Sequence, residues 1–342
     1  MRSTLPLSLI IIGSIGLISY TLTPPEEEKK SAQENFYQKS LHYTNKGLSF
    51  VYSKEHGGLE RLTGLSAEEM ECLKAKCHAT ACDACHGKDS AGMKFYSSDT
   101  ATLYNACKKC HGDLAKDNPD IHFAKGMKCM DCHTSREIHG DGKEHNSYLE
   151  PGFFDVSCKK CHITVTPSES HKTHGDKLDC TACHSNETTT CLNCHIGNRL
   201  NGIKEAQIPL EGMAFLVNHG GKVTRANMLS YVYKDKTMIT FAKSFGHSVK
   251  REGARCRECH GSGIVKEMKA GSFRLVTWEQ DTLRNRKGIV PVLEGYDWNL
   301  VYLNREKDKW IPILNPPEPL LNYSGYCSPI TPLQLEKLLK SH

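Results

Sequence analysis

The pattern C-x-x-C-H occurs seven times in this chain: CDACH at 82–86, CKKCH at 107–111, CMDCH at 129–133, CKKCH at 158–162, CTACH at 180–184, CLNCH at 191–195 and CRECH at 256–260. No hydropathy pattern constrains the fold as tightly, because each copy brings two thiols and an imidazole that must find a common use. The thiol pairs are Cys82 and Cys85, Cys107 and Cys110, Cys129 and Cys132, Cys158 and Cys161, Cys180 and Cys183, Cys191 and Cys194, and Cys256 and Cys259. Their adjacent imidazoles are His86, His111, His133, His162, His184, His195 and His260. A zinc ribbon or a disulfide framework uses Cys pairs, but neither requires a His directly after the second Cys every time. The pattern is the attachment signature of c-type haem. Two thiols about one turn apart form thioethers with the porphyrin, and the adjacent His faces the iron as proximal ligand.

An eighth site is written differently. Cys72, Cys77 and His78 form CLKAKCH, a C-x4-C-H variant. This motif resembles the longer attachment sequence of the low-potential class III multihaem cytochromes, and the resemblance extends to the repeated C-x-x-C-H pattern but not to the whole chain. It implies an exported octahaem c-type cytochrome with eight covalently attached haem c groups. Ser66 and Glu69 have the spacing of a capping box before a short helix. Residues five apart on a helix lie about 140° apart, so the chain must unwind between Cys72 and Cys77 to reach one porphyrin edge. Sixteen of the 17 cysteines are then used, and Cys327 is expected as a buried thiol.

Each iron of an electron carrier takes a second axial ligand. Of 18 His, eight are proximal and His342 is terminal, which leaves nine internal residues for eight irons. His122, His139, His171, His174 and His247 lie a short loop away from an attachment motif, and His42 sits on an amphipathic stretch ending at Gly47; these six are the leading distal candidates. His56, His145 and His219 lie in Gly-rich or polar turn sequences, and at least two of them are needed if every iron carries two His. Met93, Met127, Met130 and Met213 are the substitutes with a thioether, which would raise the potential.

Residues 1–23 carry Arg2 and then an apolar run from Leu5 to Leu22, the pattern of a signal peptide or an N-terminal membrane anchor. A polar linker, 24–31, follows. The expected location is therefore outside the cytoplasm: periplasmic, on the outer face of the cytoplasmic membrane, or extracellular. The formal charge of +5 belongs to the apoprotein, since haem propionates would turn it negative, so it is no argument for a nucleic-acid partner. About 40 residues per haem are too few for a conventional core. The expected fold is a multihaem cytochrome of mainly short α-helices and loops wrapped around a covalent haem array, with a small β-rich C-terminal region. Its expected parts are a seven-haem domain at 32–200 and a region at 201–342 holding the eighth haem and a β-rich cap. In the second part MLSYVY and MITFAK read as strands around a polar turn.

These features point to an exported carrier passing electrons along closely packed, mainly bis-His haems in anaerobic respiration or extracellular electron transfer. The expected partners are other cytochromes or a membrane quinol oxidase, with self-assembly as a further option and no catalytic residues of its own. The alternative is an octahaem reductase of a small nitrogen or sulfur oxyanion with one open iron.

Overall fold

The computed structural model describes residues 36–44, 46–70, 79–112, 120–186, 188–202, 207–306 and 309–341. The apolar segment 1–23, the linker 24–31 and the Cys72, Cys77 and His78 motif lie outside the described residues. Among the described residues, no helix is long and apolar enough to cross a membrane.

The expectation of a molecule built mainly of short helices and loops around haems is overturned: the fold is mixed α/β, organised on an eight-stranded sheet. A first hairpin, β1 (Gly87–Ser90) with β2 (Met93–Tyr96), stands apart from that sheet. The sheet itself begins with β3 (Thr190–His195), β4 (Ile208–Leu210), β5 (Met213–His219), β6 (Lys222–Tyr233) and β7 (Lys236–Lys243). After a hairpin of β8 (Val276–Glu279) and β9 (Thr282–Asn285), it is completed by β10 (Gly288–Pro291), then, past the hairpin of β11 (Leu303–Glu306) and β12 (Lys309–Pro312), by β13 (Leu320–Ser324) and β14 (Cys327–Ser328). It is a mixed sheet: β3 runs parallel to β6, β10 to β5 and β13 to β7, while β5, β6 and β7 form antiparallel hairpins.

The sheet forms because this part of the chain carries its own core. Phe215, Met228, Ile239, Phe241, Val290 and Trp298 pack into one buried cluster, and each such side chain stabilises by about 1.5–3 kcal/mol when fully buried. A conventional core therefore forms here, against the expectation of too few residues for one. Gly220 and Gly221, both at positive φ (55° and 78°), make the turn between β5 and β6, as two-residue hairpins require. The helix at Pro332–Leu339 is capped by Thr331 and Gln334.

The sheet and the motif-bearing region interleave across position 200. β3 comes from the first and hydrogen-bonds into the second, while Lys250 N donates to His184 O at 2.7 Å and Ala254 N to Cys183 O at 2.9 Å. Most of the described residues between 36 and 186 lie in short helices and turns, with little of the apolar alternation that drives a sheet.

Candidate functional site

Six of the C-x-x-C-H motifs lie on helical turns. They occupy the helices Asp83–His86, Tyr104–His111, Cys129–Cys132, Cys180–His184 and Cys256–Cys259 and the 3-10 turn Cys158–Lys160. Residues three apart on a helix share a face, so both thiols of a motif lie on one side. The twelve thiols concerned are free and at least partly exposed.

Every one of these six proximal imidazoles faces a second imidazole. The ring centres are 6.0 Å apart for His86 and His139, 6.2 Å for His111 and His42, and 6.0 Å for His133 and His247. They are 6.2 Å apart for His162 and His122, 6.2 Å for His184 and His171, and 6.0 Å for His260 and His174. Metal–imidazole bonds run about 2.0–2.1 Å and a ring centre lies about 1.1 Å behind its ligating nitrogen, so two rings on opposite faces of one iron have centres about 6.2–6.4 Å apart. The observed pairs stand at or just inside that span. Among the described residues, no group of three or more His, Cys, Asp or Glu is arranged to hold a bare metal ion. Two opposed imidazoles with two free thiols of the same motif are instead a donor set that would suit a covalently attached haem.

The far nitrogens are braced. Nδ1 meets a backbone carbonyl in His86 (Ser97, 3.2 Å), His171 (Thr166, 2.8 Å), His174 (Ser170, 2.9 Å), His184 (Lys250, 3.3 Å) and His260 (Lys337, 2.9 Å). In His42 it meets the Tyr148 hydroxyl at 2.8 Å, and in His133 and His122 the carboxylates of Glu137 and Asp120, at 2.7 and 3.1 Å. The carbonyl and carboxylate partners accept from a protonated Nδ1 and so fix the tautomer of those rings. Burial pushes His42 down to about 4, with His111 beside it adding to the effect, and it also lowers His111, His139 and His247. These rings are thereby held neutral, the form that ligates metals.

The six pairs lie in a row that follows chain order. The Asp83–His86 turn is joined to the next motif by Lys109 Nζ, 3.5 Å from Ala84 O. The thiols of Cys107 and Cys129 hydrogen-bond, as do those of Cys158 and Cys180; the second contact pushes Cys158 up and holds Cys180 down to about 6. Between the third and fourth pairs, Asp120 holds His122 with one oxygen and accepts from Val249 N, two residues beyond His247, with the other at 2.7 Å. The Ala254 to Cys183 bond joins the last two. No family model, curated protein or solved structure matches the chain.

The seventh motif is folded otherwise. Cys191 to His195 form β3, buried throughout, with a bulge between Cys191 and Cys194 and Asn193 at φ 55°. The Asn193 side chain donates to Val301 O at 3.2 Å and accepts from Leu303 N at 3.2 Å. His195 places Nε2 2.6 Å from Leu303 O, so that nitrogen carries the proton, and its ring lies 5.7 Å from the Trp310 ring. No second imidazole faces it among the described residues.

Of the remaining candidates, His56 stacks on Phe50 at 3.7 Å and meets Ser53 Oγ at 2.8 Å, and His145 is held between Asp141 and Glu150 at 3.1 and 3.4 Å. His219, on the last position of β5, reaches Leu149 O at 2.7 Å. None is opposed to a described proximal His. Cys327 is buried in β14 against the sheet core. No signal in the sequence marks the bracing groups Glu137, Asp120 and Tyr148, because each comes from a position whose proximity depends on how the loops close.

Proposed function

We propose that this chain is an exported multihaem c-type cytochrome that carries electrons through a row of six bis-His sites, those of His86, His111, His133, His162, His184 and His260. The observation that carries the reading is the set of six opposed imidazole pairs with centres 6.0–6.2 Å apart, each beside two free thiols. Haem, when attached, supplies the one-electron chemistry. The protein would hold each haem between two imidazoles, a ligation that favours low potentials over His/Met, and it keeps neighbouring sites in contact so that electrons need cross only short gaps. Other redox proteins are the partners this reading requires, at the two ends of the row.

The ferric protein is expected to give a wholly low-spin electron paramagnetic resonance spectrum at these six sites, with haem retained after denaturing electrophoresis. Substantial high-spin signal in the parent protein, or turnover of nitrite or hydroxylamine, would replace the carrier with a reductase that keeps an iron open.

A further inference from the structure

Eight of the paired rings are braced at Nδ1, and six of those braces are uncharged oxygens. Two are carboxylates. Glu137 is 2% exposed; one oxygen lies 2.7 Å from His133 Nδ1 and 3.4 Å from Thr134 N, and the other accepts from Asp155 N and from Val156 N at 3.1 Å. Asp120 is 8% exposed; one oxygen accepts from His122 N at 2.7 Å and lies 3.1 Å from His122 Nδ1, and the other accepts from Val249 N at 2.7 Å. Among the described residues, the ion pairs of both are with His alone. Arg136, next to Glu137 in sequence, is engaged by Asp155 at 2.8 Å.

His133 and His122 belong to the third and fourth sites of the row. We infer that Glu137 and Asp120 make these two middle sites the most reducing of the six described sites, an inference that rests on haem being bound there. A carboxylate accepting from Nδ1–H increases the electron density that the ring gives to iron, which favours the ferric state. A buried negative charge near the site acts in the same direction, since it stabilises the more positive oxidised form, and low dielectric strengthens the effect. The described rings braced by carbonyls or by Tyr148 have no carboxylate at Nδ1. An electron crossing the row thus meets a high step in its centre and resides at either end.

The test is a spectroelectrochemical titration of the haem-loaded full chain. Glu137→Gln keeps the size of the side chain and removes its charge; the haem content and low-spin spectrum should match the parent while the most negative reduction step moves to higher potential. Asp120→Asn should move the neighbouring step in the same direction, and it decides the matter if Glu137→Gln does not fold. Glu279→Gln, on the remote β8–β9 hairpin, should leave the titration superimposed on the parent. A folded, fully loaded Glu137→Gln or Asp120→Asn protein whose most negative steps have not moved overturns the inference and leaves the carrier reading intact. A parent protein lacking haem or dominated by high-spin iron overturns the carrier reading itself.

Discussion

CTACH at 180–184 and CLNCH at 191–195 share a pattern, lie close in sequence and fold in opposite ways. In the first, a helical turn puts Cys180 and Cys183 on one side, and the helix Glu169–His174 delivers His171 to face His184. In the second, the backbone is extended between β4 and β6, both thiols are buried, and the groups that reach His195 are a carbonyl and an indole. The pattern fixes which donors are near one another along the chain. Among the described residues, it gains an opposed second imidazole only where the backbone is helical and that imidazole arrives from another segment. The difference originates in the partners each motif finds: CLNCH pairs with Leu229, Tyr231 and Val232 of β6, and a strand buried on both faces outcompetes an isolated turn.

The largest expected effect comes from removing thiols on the two sides of this comparison. Cys180→Ala with Cys183→Ala should cost one haem in the intact mass, whereas Cys191→Ala with Cys194→Ala should cost none and lower stability by about 1–3 kcal/mol through lost core packing. A chain carrying haem at all eight motifs would erase the distinction, because attachment would have drawn β3 out of the sheet; the expected count is seven. Next in size is the distal ligand. His171→Ala should convert one site to high-spin iron with the haem content unchanged, while His219→Ala should leave the spectrum fully low-spin and cost about 1 kcal/mol for its bond to Leu149 O.

A smaller effect separates the pairs from each other. Ring planes cross at 65° in His42 with His111 and at 64° in His122 with His162, but at 20–33° in the other four pairs. Near-parallel rings give rhombic low-spin resonances and near-perpendicular rings give highly anisotropic ones, so the two classes should appear in a ratio of four to two. His122→Ala should remove one member of the smaller class. The smallest effect is one of pH. Arg136, with Thr134 beside it, holds Asp155 down to about 2, below the ordinary value of about 3.9. Its contribution to the loop around the His133 site is thus complete above the ordinary value and disappears as pH falls through about 2. The low-spin signal of that site should weaken in acid earlier in Asp155→Asn than in the parent.

Much of the site is legible in the sequence because the motif is local. The proximal His are named by the pattern itself, and the six His singled out by their short separation from a motif or by an amphipathic stretch are the ones that the structure sets opposite a proximal ring. His56, His145 and His219 are harder to place from sequence, since a His before glycines or among charges has many uses. The sheet is legible only where strands are long and apolar: β6 and β7 are written plainly in MLSYVY and MITFAK. β5, with MAFLVNH, has no alternation to mark it, and β3 is hidden by the motif that occupies it.

The sequence by itself determined the inventory: which thiols and imidazoles travel together, how many sites are available, and that the first residues are apolar enough for export or anchoring. Spacing of a few residues sets these, and backbone geometry leaves little freedom over so short a distance. Tertiary structure alone decided which copy of the pattern is a turn and which a strand, which His completes each pair, and which two pairs receive a carboxylate. Those outcomes depend on contacts between segments tens of residues apart, such as Asp120 with Val249 or His195 with Leu303, where the burial of a shared core outweighs the preference of any five residues.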